Sequence, residues 1–212
     1  MKELNVTFFD QLSYPDEMDR VAACLDGTGR HALAERPWPA FPYQPEVAFS
    51  LGHSGDCIFI KYVVTEACIR AVHSQPNAPV YQDSCVEFFI AFDEGGYYNF
   101  EFNCIGTCLA GFGPSKTERE ALPEEVLARI RYQALLRNGA AGEGIRWELT
   151  VALPLEVFTR HPLEALGGRA VRANFYKCGD HLPRPHFVAW SPIRTEAPDF
   201  HRPEFFGSLR FA

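Results

Sequence analysis

The segments Ser84 to Phe92 and Tyr97 to Cys104 carry two hydrophobic alternations on either side of the turn Asp93-Glu94-Gly95-Gly96. Successive strand side chains point to opposite faces, so Val86, Phe88, Ile90 and Phe92 share one face, and Tyr98, Phe100 and Phe102 form its counterpart. A helix, with its period of 3.6, cannot satisfy this pattern. A hairpin with one apolar and one polar face follows. Asp83 and Glu87 take the polar parity of the first strand, and Asn99, Glu101 and Asn103 that of the second. A pairing with Glu87 opposite Asn103 and Phe89 opposite Glu101 keeps both faces in phase. A one-residue slip would bury Glu101 among phenylalanines, which is costly for an unpaired charge.

Other strand-like runs extend toward both ends. Val47 to Leu51 and Cys57 to Val64 read as a hairpin across His53-Ser54-Gly55-Asp56, followed by Arg146 to Leu153, Val171 to Lys177, Phe187 to Trp190 and Ser208 to Phe211. Two short helices are expected. The first enters at Ser13-Tyr14-Pro15-Asp16 with Ser13 as its cap, recurs at Met18, Val21, Ala22 and Leu25, and closes at Gly27. The second starts with Pro123 at its first position, has Glu124 and Glu125 in its first turn and carries Arg129 and Arg131. The proline-rich segment Arg36 to Pro45 is a stiff loop bearing Trp38, Phe41 and Tyr43, because proline donates no ladder bond. The Gly/Ala-rich connection Arg137 to Gly144 is the expected mobile loop. With no internal repeat and no compositional break, residues 1–212 read as one domain. About eight short strands without βα alternation predict an all-β, antiparallel, jelly-roll-like β-sandwich with one or two short helices.

Charge and length of apolar runs narrow the function. Twenty Lys and Arg against 27 Asp and Glu give a net charge of −7, which argues against nucleic acid as partner. No apolar run approaches the roughly 20 residues of a bilayer span, so no membrane partner is expected. The start Met1-Lys2-Glu3-Leu4-Asn5-Val6 lacks the features of a secretory signal, and a cytoplasmic home is the expectation. Seven scattered cysteines make no disulfide framework, in keeping with a reducing compartment. Eighteen Phe, eight Tyr and three Trp exceed ordinary usage and serve either strand packing or a binding platform.

The polar strip Asp83, Glu87, Glu101 and Asn103 admits two readings. It is a solvated or ion-paired face tied to Arg146 or Arg172, or it is a platform whose carboxylates and amides meet vicinal hydroxyls in pairs. Metal binding by Asp83 and Glu87 is a lesser version of the second. Cys178, His181, His186 and His201 offer zinc-type donors, but Cys178-x2-His181 lacks a second paired motif and Cys104-x3-Cys108 has the wrong spacing. No metal is assigned.

The run Tyr81-Gln82-Asp83-Ser84-Cys85-Val86-Glu87-Phe88-Phe89 resembles the central strand of carbohydrate-binding family 9-like domains. So do Trp147 to Pro154, Arg172 to Lys177, Ala189-Trp190-Ser191-Pro192 and Phe205 to Phe211, in family order from about Val47 onward. The resemblance, nearest to standalone bacterial members, implies a jelly-roll-like sandwich and a saccharide ligand, with a link to carbohydrate catabolism. A related module of secreted xylanases binds sugar chain ends between tryptophans, near calcium; calcium enters here by that resemblance only, and no cofactor is expected otherwise. Trp190 matches an aromatic binding residue and is expected to stack on the sugar. Tyr81, Asp83, Glu87, Glu101, Asn103, Arg172, Asn174 and Lys177 are the accompanying candidates. Two alternatives remain: a glycoside hydrolase using Glu87 and Glu101 as acid and base, and an interaction module presenting the Trp38 to Tyr43 loop. Oligomeric state is left open.

Overall fold

The computed structural model describes residues 2–138 and 144–212. Residues 139–143, the middle of the connection expected to be mobile, lie outside them. In chain order the elements are β1 (Glu3–Phe8), α1 (Met18–Asp26), β2 (His31–Ala32), β3 (Glu46–His53), β4 (Cys57–Glu66), β5 (Cys85–Ala91), β6 (Tyr97–Asn103) and β7 (Cys108–Gly113). They continue as β8 (Glu120–Ala121), α2 (Glu124–Leu127), β9 (Arg131–Asn138), β10 (Ile145–Pro154), β11 (Ala170–Cys178), β12 (Phe187–Ala189) and β13 (Gly207–Phe211).

Strands run β8-β7-β6-β5-β11-β13-β1 and continue through β1 into β3-β4-β10-β9. The first strand makes this turn possible. Glu3 to Val6 pair with Ser208 to Phe211, while Thr7 and Phe8 pair with Gly52 and His53. The sheet thus curls on itself, and its two halves face each other as a sandwich. Both pairings of β1 are parallel, so the expected antiparallel architecture is mixed at this one strand; the other ladders are antiparallel.

The inner faces meet through aromatic rings. Phe49 of β3 stacks on Phe175 of β11 with ring centres 3.8 Å apart, and Phe175 in turn lies 4.9 Å from Phe88 of β5. Phe88, Phe100 and Phe102 are buried on the parity read from their strands. Each such ring contributes roughly 1.5–3 kcal/mol by leaving water.

Both outer faces are covered as well. Met18, Val21 and Leu25, one stripe of α1, pack on Phe9, Phe59 and Ala152. Leu25→Ala is expected to cost about 2 kcal/mol, the low end for buried leucine because this cluster is small, measured by urea denaturation. Over β5 and β11, loop residues Trp38, Phe200 and Phe206 build a second apolar layer with Phe89 and Tyr176. Pro37, Pro39 and Pro42 hold the first of these loops in place, and the layer walls the site described below.

Three local expectations are corrected. The cap of α1 is Glu17, not Ser13. Helix α2 is a single turn capped by Pro123, and Arg131 opens strand β9 instead of prolonging that helix. In the hairpin, Glu87 faces Glu101 and Cys85 faces Asn103, a register two residues from the one expected. The parity survives, since two is the strand period. The loop sets the difference: Asp93 Oδ1 accepts from Gly95 N at 2.8 Å, and Gly96 adopts φ +151°, so five residues make the turn.

Candidate functional site

The corrected register places two carboxyl groups directly opposite each other on the outer face of β5 and β6. Two residues before Glu101, Asn99 shares that face. Asn99 Nδ2 donates to Glu101 Oε1 at 2.9 Å, and Asn99 Oδ1 accepts from Arg119 Nη2 at 2.6 Å. Arg119 comes from the segment between β7 and β8, where its guanidinium lies 4.6 Å from the centre of the Tyr97 ring. Arg119 Nη2 also reaches Tyr97 O at 3.2 Å, and the Tyr97 hydroxyl meets His201 Nδ1 at 3.0 Å. Of the four buried side-chain polar atoms without a hydrogen-bond partner among the described residues, two belong to this network, Glu101 Oε2 and Arg119 Nε. Both residues line a cavity of about 320 Å³, walled by Tyr81, Phe187 and Phe200, with Lys116, Asp180 and Asp199 also reaching it.

Burial governs the charges here. It pushes the Glu101 carboxyl up to about 7, against the Asn99 hydrogen bond and the Arg119 charge, and Asp180 adds to the rise. Glu87 is held well above the carboxylate range by burial, by Cys178 and by Glu101 across the ladder. Two facing carboxyls in a low-dielectric site do not both ionise at neutral pH. His201 is lowered to about 3 by burial and the Arg119 charge, so its ring is neutral where Nδ1 meets the Tyr97 hydroxyl. Cys178 Sγ donates to Glu87 Oε1 at 3.0 Å.

Of the nine residues singled out by sequence, Tyr81, Glu87 and Glu101 line this cavity. Asp83 and Asn103 share the face but are consumed by structure. Asp83 accepts from Arg70 Nη1 at 2.9 Å, from the backbone of Val72 and His73 at 3.1 and 3.0 Å, and from Asn103 Nδ2 at 3.0 Å. Together they clasp the 70–73 loop. Asn174 uses its amide on Ser191, accepting from Ser191 N at 2.8 Å and donating to Ser191 O at 3.2 Å. Arg172 lies apart, bonded to Glu94 Oε2 and Pro203 O.

Lys177 and Trp190 require correction. Lys177 has the opposite parity and points between the sheets, where Nζ pairs with Glu66 Oε2 at 3.1 Å instead of Glu87 or Glu101. Trp190 is 4% exposed and packs edge-on against Phe49 and Phe175, with its ring over Gly207, where a Cβ would come within 2.5 Å. A ring enclosed in the core cannot stack on a sugar. Trp38 is buried too, donating from Nε1 to Thr195 O at 3.1 Å, and Tyr43 Oη accepts from Ala67 N at 2.8 Å, so the aromatic loop is committed internally. Arg146 pairs with Glu148, away from the strip. His186 meets Lys177 and His201 meets Tyr97, so the zinc-type donors Cys178, His181, His186 and His201, to which no metal was assigned, do not converge. Arg119 and Phe200 had no part in the sequence reading, while His201 entered it only as a zinc-type donor and Phe187 only as the start of a strand; they come from β12 and irregular segments, whose spacing carries no periodic signal. Asn99 alone was flagged by its strand parity.

A β-sandwich with an aromatic-walled cavity on its outer face, holding a free acceptor and a free donor, defines a small-ligand-binding protein. The chain belongs to carbohydrate-binding family 9, whose model matches residues 24–211. Carbohydrate binding is the function this membership carries, as the resemblance implied. A protein of Bacteroides uniformis ATCC 8492 to which carbohydrate binding has been ascribed is 39% identical, with a TM-score of 0.91, over 100% of this chain and 99% of that one. A family 9 carbohydrate-binding module of Caldicellulosiruptor kristjanssonii in complex with glucose shares the fold at 14% identity and TM-score 0.62, covering 100% of this chain and 96% of that one. One in complex with cellotriose does so at 15% identity and TM-score 0.60, covering 99% and 93%. No curated protein sequence matches the chain.

Proposed function

We propose that the cavity above Glu87 and Glu101 is the saccharide site and that the protein holds its ligand without cleaving it. The observation that carries this reading is the pair of unpartnered buried atoms, Glu101 Oε2 and Arg119 Nε, in one aromatic-walled cavity. Neighbouring hydroxyls of a sugar ring satisfy an acceptor and a donor together, and the exposed edge of Tyr81 with Phe187 and Phe200 supplies surface for the ring's apolar face. A neutral ligand fits, because burial already works against charge in this cavity. Glucose and cellotriose, the ligands of the two family 9 modules, are the first to try.

The reading is tested by titration calorimetry of the full chain with mono- and oligosaccharides of both anomeric linkages. Arg119→Met is expected to weaken binding roughly 10–100-fold, the loss of a charge-assisted hydrogen bond, with unchanged circular dichroism. Arg172→Ala, outside the cavity, is expected to leave affinity within about twofold. Release of reducing ends on prolonged incubation would convert the reading into a hydrolase; equal binding by Arg119→Met would move the site elsewhere.

A further inference from the structure

Beneath the cavity, β5 and β11 bring two thiols into register. Cys85 lies opposite Cys178, and the strand period puts Glu87, two residues on, on the same face. The two Sγ atoms and a Glu87 carboxylate oxygen all lie within 4.8 Å of one another, the one such convergence of three metal-type donors among the described residues. All three side chains are buried. Their side-chain hydrogen bonds run within the group, from Cys178 Sγ to Glu87 Oε1 and between the two thiols, while backbone carbonyls of Tyr81 and Val86 are the partners outside it. Two neighbouring cations are engaged elsewhere. Lys177 Nζ points through the opposite face to Glu66, and Arg119 is held by Asn99 and Tyr97. Three acidic groups are thus gathered around one point with no cation bonded to any of them, an arrangement that hydrophobic packing alone does not require.

Two thiolates and a carboxylate are the donors of a tetrahedral site for a borderline-soft divalent ion. With metal–sulfur near 2.3 Å and metal–oxygen near 2.0 Å, such donors sit about 3.5 Å apart, so no pair of these three needs to close by more than about 1.3 Å, and Cys178 Sγ and Glu87 Oε1, at 3.0 Å, need to open slightly. A second observation points to the same spot from across the ladder. Glu101, directly opposite Glu87, is buried and keeps Oε2 unpartnered on this face, in position to accept from a metal-bound water. We propose that Cys85, Cys178 and Glu87 bind a zinc ion whose fourth position opens into the cavity that Glu87 and Cys178 line. Binding releases both thiol protons and the Glu87 carboxyl proton to solvent, and the ion's two positive charges offset two of the three negative charges so formed. The site shares Glu101 Oε2 with the saccharide reading, but its three ligands Cys85, Cys178 and Glu87 lie outside the sugar-facing pair, so the two readings fail separately.

Cobalt(II) titrated into the reduced, chelator-treated full chain reports the ligands directly. The expected result is a thiolate-to-cobalt charge-transfer band that saturates at one equivalent, with visible bands of tetrahedral cobalt, both abolished by added zinc. Cys85→Ser and Cys178→Ser are each expected to weaken binding on the order of a hundredfold, and Glu87→Gln about tenfold. Cys24→Ser with Cys68→Ser serves as the control that keeps the band. Zinc should raise the melting temperature of the natural chain and not that of a Cys85→Ser/Cys178→Ser chain. Should the cysteine variants misfold, Glu87→Gln and the stoichiometry of the band still decide. No charge-transfer band, or one that persists in the double serine chain, overturns the proposal. A saturating band in protein that binds no sugar upholds the metal site and discards the saccharide reading alone.

Discussion

Lys177→Met is expected to cost about 3–5 kcal/mol of folding stability, read as a lower midpoint of urea denaturation. Lys177 and Glu66 are both fully buried between the two halves of the sandwich, with Nζ 3.1 Å from Glu66 Oε2. That contact is ionic, lying off the line of a well-aligned hydrogen bond, and Oε2 has no other donor. The rest of the network is well aligned. Trp147 Nε1 donates to Glu66 Oε1 at 2.7 Å, and Lys177 Nζ donates to Cys178 O and His186 Nε2, each at 2.8 Å. His186 is neutral, lowered to about 3 by burial first and then by the Lys177 charge. Its Nδ1–H donates to Arg184 O at 3.0 Å, which leaves Nε2 as the acceptor the ammonium needs.

Removing the ammonium strands a carboxylate where no water reaches it, and this uncompensated charge, not the loss of attraction, is the larger part of the cost. Glu66→Gln added to Lys177→Met is therefore expected to recover at least 1–2 kcal/mol, since the amide oxygen keeps the Trp147 bond and no charge remains. A single Lys177→Met costing under about 1 kcal/mol, or a double variant no better than the single, would mean the pair is solvated or already neutral.

This ion pair also marks where sequence reading stops. The parity of β5 and β6 was legible because both strands alternate cleanly between an aromatic core face and a polar outer face. The same logic separated Lys177 from Asn174, but it could not say that Glu66 waits on the opposing sheet. Register depended on a turn whose length is set by one side-chain bond from Asp93 and the backbone of Gly96, neither of which alternation encodes. Strand β9 went unread beyond Arg131 because Leu135 and Leu136 are adjacent, and at the end of the strand order both are exposed, so no face is selected. Strand β1 alternates Leu4, Val6 and Phe8 with polar residues, yet of these only Val6 is buried; its pairing with both β13 and β3 defines it. Trp190 follows β12, where the resemblance marked it for sugar stacking, yet Gly207 of β13 leaves room for the ring inside. The cavity was half legible: its floor lies on two alternating strands, while Arg119 and His201 reach it from irregular segments that only tertiary packing brings near.

The floor's carboxyl pair gives the second large effect. Glu101 binds its proton more tightly in the folded chain, up to about 7 against an ordinary 4.5, chiefly because it is buried. Between those values the folded state holds more protons than the unfolded one, so stability is fully present below the unfolded value and falls as pH rises through the folded one. The shift corresponds to about 3 kcal/mol, most of it lost between pH 5 and pH 8. Glu87, raised by burial, Cys178 and Glu101, adds in the same direction. Glu101→Gln keeps the shape, loses the titration and removes the like-charge partner of Glu87. Its melting temperature should change little at pH 5 and exceed that of the natural chain at pH 8, with a flatter profile between. Sugar binding should move oppositely. If a hydroxyl donates to Glu101 Oε2, the ionised carboxylate is the better acceptor, so affinity of the natural chain rises as pH passes 7, while the glutamine chain lacks that rise. The deficit of Glu101→Gln should therefore grow from a few-fold at pH 5 to about tenfold or more at pH 8. Stability and affinity then pull against each other at one carboxyl, as expected where a buried group is kept for its ligand and not for the fold. Parallel melting profiles for the two chains would show that Glu101 does not carry the titration, and a pH-independent affinity would show that its carboxylate does not meet the sugar.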